Sequence, residues 1–190
     1  MPPPIWAGAH ANEIPTDPDE FIFFLSSDEV PYGCFSNAHR ERNGHYAANI
    51  IGDAKDSSAA DAPKFWCVNQ ELHYQKAMFF EDTSSAHQIL AERNDATKIK
   101  QLGRMVRGYD DAKWCEVRYD VCRNALYAKF MQNEESKRIL LGTGTKIIVE
   151  AARDKTWGIG CVETTTITTT SDDDGAMMIR GAKKMETAGG

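Results

Sequence analysis

The sequence lacks most of the short motifs that announce a reaction. Its five cysteines, Cys34, Cys67, Cys115, Cys122 and Cys161, form no CxxC pair. An odd, scattered set of this kind predicts reduced thiols and argues against a disulfide framework. The five histidines (His10, His39, His45, His73, His87) show neither HExxH nor a pair four apart. That excludes the usual helical zinc-hydrolase arrangement, and each is read as a surface or singly bonded histidine. There is no GxSxG elbow and no Walker A loop. No metal and no cofactor is therefore expected. No apolar run approaches the ~20 residues that span a bilayer. Met1 to Trp6 has neither the basic flank nor the apolar run of a secretory signal. These absences predict a cytoplasmic address, with the nucleus as the alternative, and no membrane partner. An excess of basic charge is missing too. A net charge of −6 excludes a general binder of phosphate backbones, although a small basic pocket is compatible with it.

What is present suits one globular domain. The chain has 190 residues, 42% hydrophobic and 26% charged, enough to bury a core without disulfides or a metal. Residues 1–20, rich in Pro and Asp, read as a loose lead-in, residues 21–180 as the folded domain, and residues 181–190 as a disordered tail. Phe21 to Leu25 predicts a buried strand. Arg40 to Pro63 reads as an extended loop or a strand pair with a flexible tip. Helices are predicted over Asn69 to Phe80, Ser84 to Arg93, Ala96 to Leu102, Asp111 to Gln132 and Glu134 to Leu141. Asp95 is a candidate N-cap and Gly103 a candidate C-terminal stop for the third of these. In the fourth, Trp114, Val117, Val121, Ala125 and Ala128 recur at three- and four-residue steps. Trp114 reads as core, and Lys129 reaches either solvent or a ligand. Cys115 and Cys122 read as packing. Lys146 to Glu150 predicts a strand.

Three groups of residues stand out. Phe35-Ser36-Asn37 follows Tyr32-Gly33, a turn composition whose side chains can donate to a ligand or simply shape the turn. On the predicted helix beginning at Asn69, the residues Asn69, His73 and Lys76 are spaced by four and three and share a face. Asn69 and Lys76 differ by only about 20° around the axis. Glu71 is offset from Lys76 by about 140°. The third group is Asp154-Lys155-Thr156-Trp157-Gly158-Ile159-Gly160, in which two glycines permit close backbone approach and an indole offers a flat wall.

Taken in order, these residues resemble the NADAR (YbiA-like) family from about Phe21 to Gly160. The matching positions are Phe35-Ser36-Asn37, Lys76-Ala77 with Phe80 and Asp82, Leu102-Gly103-Arg104, and Trp114. They continue with Ala128-Lys129-Phe130, Gln132-Asn133, Leu140-Leu141, Thr143-Gly144, Val149-Glu150, Asp154 and Trp157-Gly158-Ile159-Gly160. The resemblance implies a compact α+β fold, predominantly helical with a small β component. It implies an N-glycosidase acting on ribose joined to an amine. Family members remove ADP-ribose from the exocyclic amine of guanine; others cleave ribosylamine phosphates of riboflavin biosynthesis. The implied ligand is ADP-ribose or an ADP-ribosylated guanine nucleotide, with nucleic acid touched only at the modified base. The sequence carries no signal of oligomeric state.

The resemblance also distributes roles. Lys76 would attack the opened sugar and form a Schiff base. Asp154 would orient water or bind ribose hydroxyls. Ser36, Asn37 and Arg104 would contact phosphate and ribose. Trp157, Gly158, Ile159 and Gly160 would line the base or ribose pocket. Two departures bear on this scheme. The family carries glutamate seven residues before Lys-Ala, where this chain has Asn69. Either Glu71 takes over proton transfer through a local distortion, or Asn69 marks a weakened, binding-only or mutated site. The usual Gly-x-Asn-x-Leu-Gly segment is replaced by Thr164 to Asp174, while Met177 and Arg180 keep the final Met-x-x-Arg.

Overall fold

The computed structural model describes residues 18–48, 62–152, 154 and 156–158. The fold is α+β and mostly helical. Contacts divide the chain into two compact units, residues 1–23 with 147–190 and residues 24–146. The smaller holds most of strand β1 (Phe21–Phe24), paired with β4 (Ile147–Glu150). Ile22 and Phe24 are buried while Phe23 is exposed, the alternation expected of a half-covered strand.

The larger unit holds strands β2 (His45–Tyr46) and β3 (Lys64–Phe65), which pair antiparallel, and five helices. These are α1 (Val68–Phe79), α2 (Thr83–Ala91), α3 (Ala96–Arg104), α4 (Asp111–Gln132) and α5 (Glu134–Gly142). Of the loop or strand pair expected over residues 40–63, strand β2 lies within the range and its partner β3 just beyond it; the expected tip lies outside the described residues.

Helix α1 is central, packed against α2, α3 and α4. Val68, Gln70, Glu71, Leu72, Tyr74, Gln75 and Ala77 are all buried. A helix covered on several sides must satisfy its polar groups internally. Gln70 does so fully. Its Oε1 accepts from the Trp66 N–H at 2.9 Å, and its Nε2 donates to the carbonyls of Ile89, Leu90 and Glu92 at 3.0, 3.3 and 2.7 Å. One amide thus joins the start of α1 to the end of α2, where carbonyls lack intrahelical partners.

Acidic residues cap three helix starts, Asp95 among them as the sequence predicts. Asp95 accepts from the N–H groups of Thr97 and Lys98, and Asp110 from that of Lys113. Asp82 caps α2 through Ser85 and also accepts from the backbone and guanidinium of Arg107. Those Arg107 bonds hold its carboxyl well below the usual carboxylate range. Asp82 thereby fixes the loop between α3 and α4.

Gly103 is not a helix stop. It lies inside α3, buried. A Cβ there would sit 2.3 Å from Nδ1 and 2.5 Å from Cγ of His73. Glycine is needed so that α3 can press against α1, not to end a helix. Gly103→Ala would gain about 1 kcal/mol of helix propensity but incur about 1–3 kcal/mol of overpacking. The expected result is a net loss of stability with a lower urea midpoint and an unchanged m-value; a raised midpoint would contradict this contact.

The two buried lysine- and histidine-centred networks were not legible beforehand. Lys129, on α4, is fully buried rather than reaching solvent or ligand. Its ammonium donates to Cys34 O at 2.6 Å and Ser36 O at 3.2 Å and lies 3.8 Å from Glu41. Glu41 also accepts from Ser136 Oγ at 2.7 Å. His45 and Glu71, both 1% exposed, bond at 2.8 Å, so His45 is a core histidine and not a surface one. Among the described residues no helix is long and apolar enough to cross a membrane.

Candidate active site

The stripe Asn69–His73–Lys76 is half-buried while its flanking residues on α1 are covered. It is a partly exposed stripe along α1. At its upper end, the Asn69 N–H donates to Asn37 O at 2.8 Å. Asn37 Nδ2 contacts Cys122 Sγ at 3.9 Å. Ser36 is buried, with its Oγ accepting from the Ala38 N–H at 3.2 Å. Ser36 therefore shapes the turn, and Asn37 is the member of that pair brought beside Asn69. Lys129 holds the same turn from beneath.

At the lower end, Lys76 Nζ donates to Gly103 O at 2.8 Å and lies 4.0 Å from the centroid of the Tyr109 ring. The Gly103 carbonyl is free for this because of Asp82. In a continued helix it would accept from the N–H of Arg107, four residues on. That N–H instead bonds Asp82 at 2.9 Å. Burial pulls the Lys76 amine below its ordinary value, and the Asp111 carboxylate partly offsets this. A half-buried amine with one carbonyl partner keeps a usable lone pair when neutral.

The fully buried Lys129 also has its pKa lowered by burial. It donates to two carbonyls and has the Glu41 carboxylate as an ion partner at 3.8 Å. No substrate reaches it. Accessibility, not the shift, separates Lys76 from the buried Lys129.

The neighbours of Lys76 are polar and chargeable. His73 is lowered to about 4, by burial first and then by the charges of Lys76, Lys100 and Arg104. It is neutral at physiological pH, and its ring packs under Gly103 of α3. Arg104, the last residue of α3, is exposed. Glu71 points away from the stripe, held by His45 Nε2 and approached by Gln75 Nε2 at 3.4 Å. Sequence reading missed Tyr109 and Asp111. Tyr109 Oη donates to Asp111 Oδ1 at 2.5 Å. The signal was a Gly-Tyr-Asp-Asp run opening α4, soon after Gly103-Arg104.

In the smaller unit, Asp154 shapes its own loop. Its Oδ1 accepts from the N–H groups of Thr156 and Trp157 at 2.7 and 3.0 Å, and its carbonyl from Gly158 N–H at 2.9 Å. A Cβ on Gly158 would lie 2.6 Å from Ala152 O, so glycine is required there. Trp157 is half-buried. Ile159 and Gly160, together with the altered segment Thr164 to Asp174, Met177 and Arg180, lie outside the described residues. Among the described residues no cluster of His, Cys, Asp and Glu is arranged to hold a metal.

Residues 23–178 match the NADAR domain. The chain belongs to the NADAR family. Its relatives include Protein irg-1 of Caenorhabditis elegans, 39% identical over 144 residues, which are 74% of this chain and 65% of that protein. N-glycosidase R617 of Acanthamoeba polyphaga mimivirus is 39% identical over 94 residues, 49% of this chain and 55% of the viral protein. The Riboflavin biosynthesis protein VVA0006 of Vibrio vulnificus (strain YJ016) is 30% identical over 95 residues, 50% of this chain and 26% of that protein. Each match thus spans less than two thirds of the relative's own length. The motif residues of this NADAR chain have structural explanations at several points. Asp82 frees Gly103 O, Gln132 bonds both the N–H and C=O of Tyr46, and Asn133 bonds Gly44 O.

Proposed function

We propose that this NADAR protein is an N-glycosidase that releases ADP-ribose from the exocyclic amine of guanine, with Lys76 as the nucleophile. The observation that carries the reading is Lys76 itself: a reachable amine, depressed by burial and aimed by the Gly103 carbonyl and the Tyr109 ring. Cleaving an N-glycosidic bond requires an electrophilic C1″ to be captured and the leaving nitrogen to be protonated. A neutral lysine performs the first task by forming a Schiff base with the opened ribose. The relative named as an N-glycosidase supports the reaction class. Arg104 and Asn37, at the two ends of the stripe, offer a guanidinium for diphosphate and an amide for ribose hydroxyls. Arg40, Lys64 and Arg93 surround Trp66 at 5.3–5.7 Å. They supply local positive charge for a strand bearing the modified base, despite the net charge of −6.

A second reading is a module that binds ADP-ribose without cleaving it. It is favoured by the stripe itself, which carries Asn69 where a carboxylate would serve, while Glu71 is committed to His45. One assay decides. The protein is incubated with ADP-ribosylated guanosine and, separately, with a ribosylamine phosphate, and products are resolved by mass. ADP-ribose release from the first alone is expected. Calorimetric binding of ADP-ribose without release would select the binding module. Cleavage of the ribosylamine phosphate alone would move the substrate to that class.

A further inference from the structure

We infer that Asp111 is the proton carrier for Lys76, a role that neither Asn69 nor Glu71 fills. The inference rests on the N-glycosidase reading above and deepens it. Asn69 can hydrogen-bond but has no titratable group. Glu71 is 1% exposed and bonded to His45 on another side of α1. Asp111 is different on each count. It is exposed to solvent at the first turn of α4. Its Oδ1 accepts from the Tyr109 phenol at 2.5 Å, and the face of that same ring carries the Lys76 ammonium at 4.0 Å. Tyr109 thus holds the amine on its face and the carboxylate at its hydroxyl. Among the described residues, the other oxygen, Oδ2, accepts from the Cys115 thiol at 3.7 Å, a weak donor.

Asp111 also fits by protonation state. It faces Tyr109, Cys115, Arg118 and Lys76, and its pKa lies below the ordinary value, chiefly because of the Tyr109 bond. It is an anion at neutral pH. Tyr109 is pushed up to about 12 by burial and by Asp111, so its phenol stays protonated and keeps donating. The unassisted alternative is proton transfer through bulk water.

The chemistry balances without an oxidant or a cofactor. In the opened sugar, C1″ is doubly bonded to the guanine nitrogen. The neutral Lys76 amine adds to C1″, forming the C1″–Nζ bond. Both amine protons then move in turn to the guanine nitrogen, each by way of Asp111. The C1″–N bond to guanine breaks with its electron pair leaving on nitrogen, and C1″=Nζ remains. Water adds to C1″, its two hydrogens return to Nζ, and the sugar departs as the aldehyde. Asp111 ends the cycle as it began.

The test compares Asp111→Asn, Asp111→Glu, Asn69→Glu and Asp111→Asn/Asn69→Glu with the wild-type protein, using ADP-ribosylated guanosine. Asp111→Asn is expected to lower turnover about 10²-fold or more, with ADP-ribose binding unchanged by calorimetry. Asp111→Glu, which keeps the carboxylate and the helix start, is expected to retain most of the rate. Restoring a carboxylate through Asn69→Glu is expected to bring Asp111→Asn up to the turnover of the Asn69→Glu single variant, whereas a purely structural aspartate leaves the double variant below it. The pH profile gives an independent reading. Because Asp111 raises Lys76, its neutralisation shifts the limb due to lysine deprotonation to lower pH. Asp111→Asn with full turnover, or with a loss that Asn69→Glu leaves unrepaired, would overturn the assignment while leaving the glycosidase reading intact. A wild-type protein without turnover removes both.

Discussion

Lys76→Met is expected to lower turnover of ADP-ribosylated guanosine about 10³-fold or more, equivalent to about 4 kcal/mol of barrier. Methionine keeps an unbranched stem of similar length over the Tyr109 ring, so α1 and the Tyr109–Asp111 pair stay in place. What disappears is the amine that bonds to C1″. Ligand binding is expected to persist, because diphosphate and ribose contacts come from other side chains. The two quantities therefore separate: kcat collapses while the calorimetric affinity for ADP-ribose holds. Lys76→Arg sharpens the comparison. It retains positive charge near the ligand but stays protonated and forms no Schiff base, so it is expected to be as inactive as Lys76→Met. More than about a tenth of wild-type turnover in either variant, a barrier change under about 1.4 kcal/mol, would contradict a lysine nucleophile.

Lys129→Met is expected to destabilise the fold by about 3–5 kcal/mol, the usual consequence of removing one partner from a buried ion pair. Two carbonyls, Cys34 O and Ser36 O, lose their donor, and Glu41 loses its ion partner. Glu41 keeps the Ser136 hydroxyl as an uncharged donor. Marginal domains have roughly 5–15 kcal/mol in total, so this change takes a large share. The loss is expected in urea unfolding, with the turn at Ser36–Asn37 opening first in hydrogen exchange. Glu41→Gln in the Lys129→Met background removes the stranded charge and is expected to recover part of the loss. A Lys129→Met cost below about 1 kcal/mol would mean that the pair is not buried as described.

These two lysines show what the sequence carried and what it did not. Local chemistry was legible. Asp95 marked the beginning of α3, and the apolar steps from Trp114 to Ala128 marked the buried side of α4, because caps and periodicity act over one or two turns. The spacing of Asn69, His73 and Lys76 correctly placed them on one stripe, and Glu71 off it. Long-range partners were not legible. The carbonyl acceptors of Lys129 lie more than ninety positions away in the chain, so nothing near Ala128-Lys129-Phe130 revealed that its charge is consumed internally. Gly103 was misread for a related reason. A glycine near a helix end usually serves the αL turn, whereas here it answers the imidazole of His73 on a different helix. Tyr109 and Asp111 looked like ordinary helix-start residues; only the packing of α1 against the α3–α4 loop makes them neighbours of Lys76.

The central claim is that the Nζ of Lys76 bonds to the ribose. The most direct measurement is borohydride reduction of the protein during turnover of ADP-ribosylated guanosine, followed by peptide mapping of the trapped adduct. The account predicts one ADP-ribose-derived mass increment, carried by the peptide containing Lys76 and absent from Lys76→Met. An increment on another lysine, or one that persists in Lys76→Met, would contradict it.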